Sequence, residues 1–112
     1  MSVDVKSGVY DAPAIAAIVF EFLNNGNTTP VVIVENLDDA ASAAIRFQES
    51  DNGVDFTDIA DTAATVLPGG ENVLTLTQSN RARIALHAGG NVKLLVTIVR
   101  TVKGSPTTVG AA

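Results

Sequence analysis

Val92-Lys-Leu-Leu-Val-Thr-Ile-Val-Arg-Thr-Val102 is the longest strand candidate in the chain and the one that says most about its surroundings. In an extended chain side chains alternate between faces, so Val92, Leu94, Val96 and Ile98 share one side. Lys93, Leu95, Thr97 and Val99 share the other, and this is not the polar row of a strand with one wet face. Apolar residues on both faces mark a strand covered on both sides over part of its length. Val31-Val-Ile-Val34 reads the same way, with β-branched residues that favour strands. The outer face of a two-layer sandwich should meet water. An apolar outer face therefore predicts contact with another subunit, and Leu95, Thr97, Val99, Val31 and Ile33 are the residues expected there.

Working outward, turn signals recur about every ten residues. They are Asn24-Asn-Gly-Asn27, Asp38-Asp39, Asp51-Asn-Gly53, Pro68-Gly-Gly70, Ser79-Asn80 and Gly89-Gly-Asn91. Gly, Asn and Asp recur because tight turns need positive φ. Between the turns lie alternating runs. Ile45 and Phe47 oppose Arg46 and Gln48, and Val54–Ile59 follows as the second arm of a hairpin, with Phe56 inward. Ala64–Leu67 is a weaker strand, Leu74 and Leu76 oppose Thr75 and Thr77, and Ile84 and Leu86 oppose Arg83, Ala85 and His87. The predicted fold is all-β: an antiparallel β-sandwich, jelly-roll or immunoglobulin-like, of about seven or eight short strands.

Ala14–Leu23 fits two patterns. Ile15, Ile18, Val19, Phe22 and Leu23 make a helical stripe, whereas Ile18, Phe20 and Phe22 line one face of a strand; the β context favours strand. Leu37–Ala44 is expected to hold one helical turn. Residues 1–12 are expected to be an N-terminal arm and 103–112, which lack periodicity, a flexible C-terminal tail. The 112 residues make one domain, 1–112, with a single core.

Composition narrows the function. Apolar residues make up 46% of the chain and charged residues 17%, below the roughly 25% of soluble domains. A surface poor in charge is one that partners can cover. The net charge of −5 repels a phosphate backbone, and basic residues are scattered apart from Arg81 and Arg83, so no nucleic-acid partner is expected. No cysteine is present, which excludes disulfides, thiolate metal sites and cysteine nucleophiles. Met1-Ser-Val-Asp-Val-Lys6 has no basic region leading into an apolar run, so no secretory signal is expected. Ala12–Phe20 is too short to span a bilayer, so no membrane partner is expected.

Catalytic chemistry finds little to use. His87 is the single histidine, and no Gly-x-Ser-x-Gly elbow presents a serine to it. Asp51, Asp55, Asp58 and Asp61 cluster, but a calcium loop of the EF-hand kind needs glycine at position six and glutamate at twelve. Here glycine comes third and Thr62 stands twelfth. Sugar-stacking aromatics are few: there is no Trp, one Tyr, and Phe20, Phe22, Phe47 and Phe56 all sit on predicted inward faces. The glycine pairs lack the Lys-Ser/Thr of a phosphate loop. No catalytic residue, cofactor or metal ligand is predicted, and the chain reads as a binding or assembly protein rather than an enzyme.

The hairpin Ile45-Arg-Phe-Gln-Glu-Ser-Asp-Asn-Gly-Val-Asp-Phe-Thr-Asp-Ile59, then Leu67-Pro-Gly-Gly70 and Val96-Thr-Ile-Val-Arg100, resembles small β-sandwich proteins of tailed-bacteriophage particles. It is similar to capsid decoration (cement) proteins and related head or tail accessory proteins over residues 30–102. The same hairpin occurs in discoidin-like and other carbohydrate-binding sandwiches, so it transfers no functional residue. The resemblance implies a virion structural protein on the capsid surface, made in the host cytoplasm. It implies a homo-oligomer, with a trimer favoured, whose partner is the major capsid protein. The alternative it leaves is a carbohydrate- or calcium-binding module of a tail or other surface assembly.

Overall fold

Residues 2–23, 30–76 and 83–102 are described by the computed structural model, with side chains described for 5–23, 30–76 and 83–100. These residues form strands and no helix. In chain order they are β1 (Ser2–Ala12), β2 (Ala17–Leu23), β3 (Val31–Asn36), β4 (Ala43–Ser50), β5 (Thr57–Asp58), β6 (Ala64–Val66), β7 (Glu71–Thr75), β8 (Arg83–Gly89) and β9 (Val92–Val102). All pairings are antiparallel. One sheet runs β1-β9-β3-β7; the other runs β2-β8-β4-β5, with β6 also on β4. β5 pairs with Gln48 and Glu49, and β6 with Ala43–Ile45, so the two short strands share one edge of β4. The nine strands therefore fill eight positions, four in each sheet.

The connections β1–β2, β2–β3, β3–β4, β6–β7, β7–β8 and β8–β9 each pass from one sheet to the other. That weave is the jelly roll and not the immunoglobulin arrangement. The expected antiparallel sandwich is thus what the chain forms. The sheets meet over Phe47, Ile84, Leu86, Leu94, Val32, Val34 and Val96, all fully buried. Each such side chain contributes about 1.5–3 kcal/mol by leaving water.

Two expectations need correction. Residues 2–12 are not an arm: they pair along the whole of β9, from Ser2–Val102 to Ala12–Val92. The segment lacks an apolar run, but β9 offers it a free edge, and backbone pairing does the rest. Nor does 37–44 contain a helical turn. The Asp38 carboxylate accepts the amides of Ala40 (2.9 Å) and Ala41 (2.6 Å), a local bond that competes with helix. Those amides hold the Asp38 carboxyl below the usual carboxylate range. The favoured strand within 14–23 is present as β2, with a register shift between Ile18 and Phe20. The shift sets Ile18 against the outward His87 while Phe20 and Phe22 stand against the buried Leu86 and Ile84, so the three do not share one face as expected. The turns expected at 24–27 and 79–80 and the tail at 103–112 lie outside the described residues.

One end of the sandwich gathers the crossings at 13–16, 37–42, 67–70 and 90–91. Asn36 ties them together from a buried position. Its Nδ2 donates to the carbonyls of Ala41 (2.8 Å) and Val66 (3.1 Å), and its Oδ1 accepts the Asp38 amide (2.9 Å). Asn36→Ala leaves two carbonyls and one amide without partners. It should cost about 2–3 kcal/mol, read as a lower denaturant midpoint at unchanged m-value. Thr62 plays a matching part where the β4 edge is interrupted between β5 and β6. Its hydroxyl accepts the Phe47 amide (3.0 Å) and donates to the Ile59 carbonyl (2.8 Å).

Candidate interaction surface

The two outer faces of the sandwich differ in chemistry. On the β1-β9-β3-β7 sheet the strand register sets outward side chains in rows. The first row is Val5, Val99, Val31 and Thr75; the second is Ser7, Thr97, Ile33 and Val73; the third is Val9, Leu95, Glu35 and Glu71. Leu95, Thr97, Val99, Val31 and Ile33 are thus brought together at the middle of one face, each half-buried by its neighbours. Val5, Val9 and Val73 flank them at 58%, 57% and 54% exposure. Charge is confined to one margin, where Glu35 and Glu71 stand opposite each other and Lys93 pairs with Asp11 at 2.8 Å.

Val5, Val9 and Val73 escaped the sequence reading. Val5 and Val9 fall in the segment expected to be an arm, although Val3, Val5 and Val9 alternate with Asp4, Lys6, Gly8 and Tyr10 in the period of a strand. As a strand, β1 adds a third apolar column beside those of β9 and β3.

The other sheet turns charges outward. Arg46 Nε lies 3.0 Å from Asp58 Oδ1, an ion pair too poorly aligned to count as a hydrogen bond. Gln48 donates to the same oxygen at 2.8 Å, and Arg83 pairs with Glu21 at 3.3 Å. His87 sits across from Arg46 in register. Partial burial holds its imidazole below the usual histidine range, Arg46 acts in the same direction, and Asp58 opposes them. Protonation therefore favours the unfolded chain. Wild-type stability should fall as pH drops below about 6.5. His87→Gln should remove that component, checked by thermal melts from pH 7 to 5. No serine or threonine is hydrogen-bonded to His87 among the described residues.

The acidic cluster is not assembled into a site. Asn52 Oδ1 accepts the amides of Val54 (2.8 Å) and Asp55 (2.9 Å), and Ser50 Oγ accepts that of Gly53 (2.9 Å). These polar atoms build the turn between β4 and β5. Asp55 accepts from Asn52 and Asp58 forms an ion pair with Arg46, so these carboxylates point to different partners. Among the described residues no three His, Cys, Asp or Glu side chains are grouped to hold a metal.

A second surface feature lies in the seam between the edge strands β1 and β2, a cleft of about 650 Å³. Tyr10 and Phe20 stack with centroids 4.9 Å apart and a 56° tilt, and Phe20 continues to Phe22 at 5.9 Å. Arg100 lies 5.9 Å over Phe22 and donates to the Leu23 carbonyl at 2.9 Å. The inward faces expected for Phe20 and Phe22 are found, yet Phe20 keeps part of its surface in solvent. Phe20 is on the inner face of β2, but β2 is an edge strand and the seam beside it is open.

Fold and surface together define a small antiparallel jelly roll with one uncovered apolar sheet. No family model and no curated protein matches the chain. Among solved structures it is similar to the SPBc2 prophage-derived protein YomS, at TM-score 0.61 and 14% identity, covering 90% of this chain and 96% of that one. It is also similar to a subunit of the Bacillus endospore appendages that form disulfide-linked pili, at TM-score 0.60 and 17% identity, covering 91% and 88%. At these identities the likeness is one of fold. Among the described residues no helix is long and apolar enough to cross a membrane.

Proposed function

We propose that the chain is a non-enzymatic structural protein of a phage virion, bound as a homo-oligomer between the capsomers of the capsid and stabilising it there. The observation that carries this reading is the apolar outer face centred on Leu95, Thr97, Val99, Val31 and Ile33. A monomer gains nothing by keeping such a patch in water, whereas an assembly protein needs it. The prophage origin of YomS and the pilus role of the appendage subunit are in keeping with an assembly role for this fold. Unlike those pili, an assembly of this chain is held without disulfides, because the chain has no cysteine.

Area favours several contacts over one. Four strands about 4.8 Å apart, carrying about six residues each at about 3.4 Å per residue, give a face of roughly 400 Å² in projection. A stable pairwise interface buries about 800 Å² on each partner. The face is sized for one contact among several, as in a symmetric trimer that also touches the major capsid protein, where linked weak contacts reinforce each other. The test is co-sedimentation with shells of a tailed-phage major capsid protein, combined with light scattering in solution. Saturable binding at a fixed copy number is expected. A strictly monomeric protein that ignores the shells would overturn the proposal.

A further inference from the structure

The seam between β1 and β2 concentrates chemistry that the assembly reading does not use. Three of the chain's five aromatic side chains line it: Tyr10, Phe20 and Phe22. Tyr10 and Phe20 keep part of their surface in solvent, while Phe22 is buried beneath them as a floor. The Tyr10 ring folds back over Gly8, where an added Cβ would come within 3.0 Å of the phenol oxygen. Glycine at position 8 thus leaves the room that the ring occupies along the cleft wall. Its hydroxyl has no hydrogen-bond partner within the described residues, although a phenol at an apolar wall normally finds one.

The lining carries three cations, Lys6, Arg83 and Arg100, and one carboxylate, Glu21, which Arg83 pairs at 3.3 Å. The excess of positive charge repels a cationic ligand. A ligand of hydroxyl groups accepts from the cations and donates to the carboxylate, while its C–H faces lie on aromatic rings. Clefts that combine an apolar wall with a few placed polar groups are where small ligands bind. We propose that this cleft is an oligosaccharide-binding site, with Tyr10 and Phe20 as stacking platforms and Lys6, Glu21 and Arg83 as hydroxyl partners.

Tyr10 is the single tyrosine and the chain has no tryptophan, so its fluorescence reports this cleft alone. The full chain is titrated with cellohexaose, chitohexaose, mannohexaose and hexagalacturonate. At least one should give a saturable change below about 5 mM. Phe20→Ala should weaken that binding about tenfold or more by removing a platform. Arg83→Gln, a change at the exposed rim, should weaken it without lowering the melting temperature. Val73→Asp, on the outer face at the opposite sheet edge, should leave it unchanged and so separates this site from the assembly surface. No saturable change with any of the four sugars overturns the proposal. So does binding that Phe20→Ala and Arg83→Gln both leave intact, and so does saturation by a short aromatic peptide in place of every sugar.

Discussion

Gly90→Ala should cost the fold about 3–5 kcal/mol, a large share of the 5–15 kcal/mol that holds a domain together. Gly90 has φ of +121°, which L side chains rarely adopt. A Cβ there would stand 2.4 Å from the Ser42 carbonyl oxygen and 3.2 Å from the Ala43 Cα. Both obstacles are backbone, so no rotamer change relieves them. Nor can the turn step aside, because the Gly90 amide donates to the Pro13 carbonyl at 2.9 Å and the Asn91 amide to the same oxygen at 3.2 Å. Three crossings between the sheets are thus wedged together at this point. Gly69 supplies the control. Its φ is +71°, but an added Cβ meets nothing within 4 Å. Gly69→Ala should cost only about 1–2 kcal/mol, the price of the left-handed conformation. Urea melts of the two variants check the contrast, and equal losses would show that sterics at the crossing do not matter.

Val5→Asp combined with Val73→Asp should abolish self-association and capsid binding while leaving the fold almost untouched. Both residues are more than half exposed, so each substitution should change stability by no more than about 0.5 kcal/mol. At a desolvated contact the same change buries a charge without a partner. Each should then cost about 2 kcal/mol or more of association, roughly thirtyfold in affinity. Light scattering for oligomer mass, co-sedimentation for shell binding and a thermal melt separate the two effects. A double variant that still assembles would move the interface elsewhere. A matched pair on the opposite sheet, Gln48→Ala and Glu21→Ala, should leave association unchanged.

Much of the fold was legible in the sequence because alternation and turn chemistry are local. β3 and β9 stand where their β-branched runs placed them, β4 stands where the alternation of Ile45 and Phe47 with Arg46 and Gln48 placed it, and the turn at Gly89-Gly-Asn91 is where the glycines signalled it. The illegible parts are those whose structure comes from elsewhere in the chain. Ser2–Ala12 carries no strong apolar run and becomes a strand because β9, ninety residues away in the pairing Ser7–Thr97, offers an edge. Thr62 looks like a loop residue, and only the interrupted edge of β4 gives its hydroxyl a backbone to bond. The five central residues of the apolar face were readable from two strands. Val5, Val9 and Val73 were not, because a face is a property of neighbouring strands and register. The aromatic cleft was hidden for a related reason: inward parity does not reveal whether a strand lies at an edge.

The pairing of β1 with β9 has a consequence for biosynthesis. β9 is the middle of its sheet, flanked by β1 and β3, yet it is made after both. A nascent chain that has emerged as far as β8 holds one sheet with all of its strands and another whose centre is still missing. β1 then waits for the ribosome to deliver its only partner in the sheet. Closure across so long a stretch of chain is slow by its entropy. Completion of this sheet therefore waits until β9 has emerged, and a chain that stopped before Val92 would leave β1 and β3 as open edges ready to pair with other molecules.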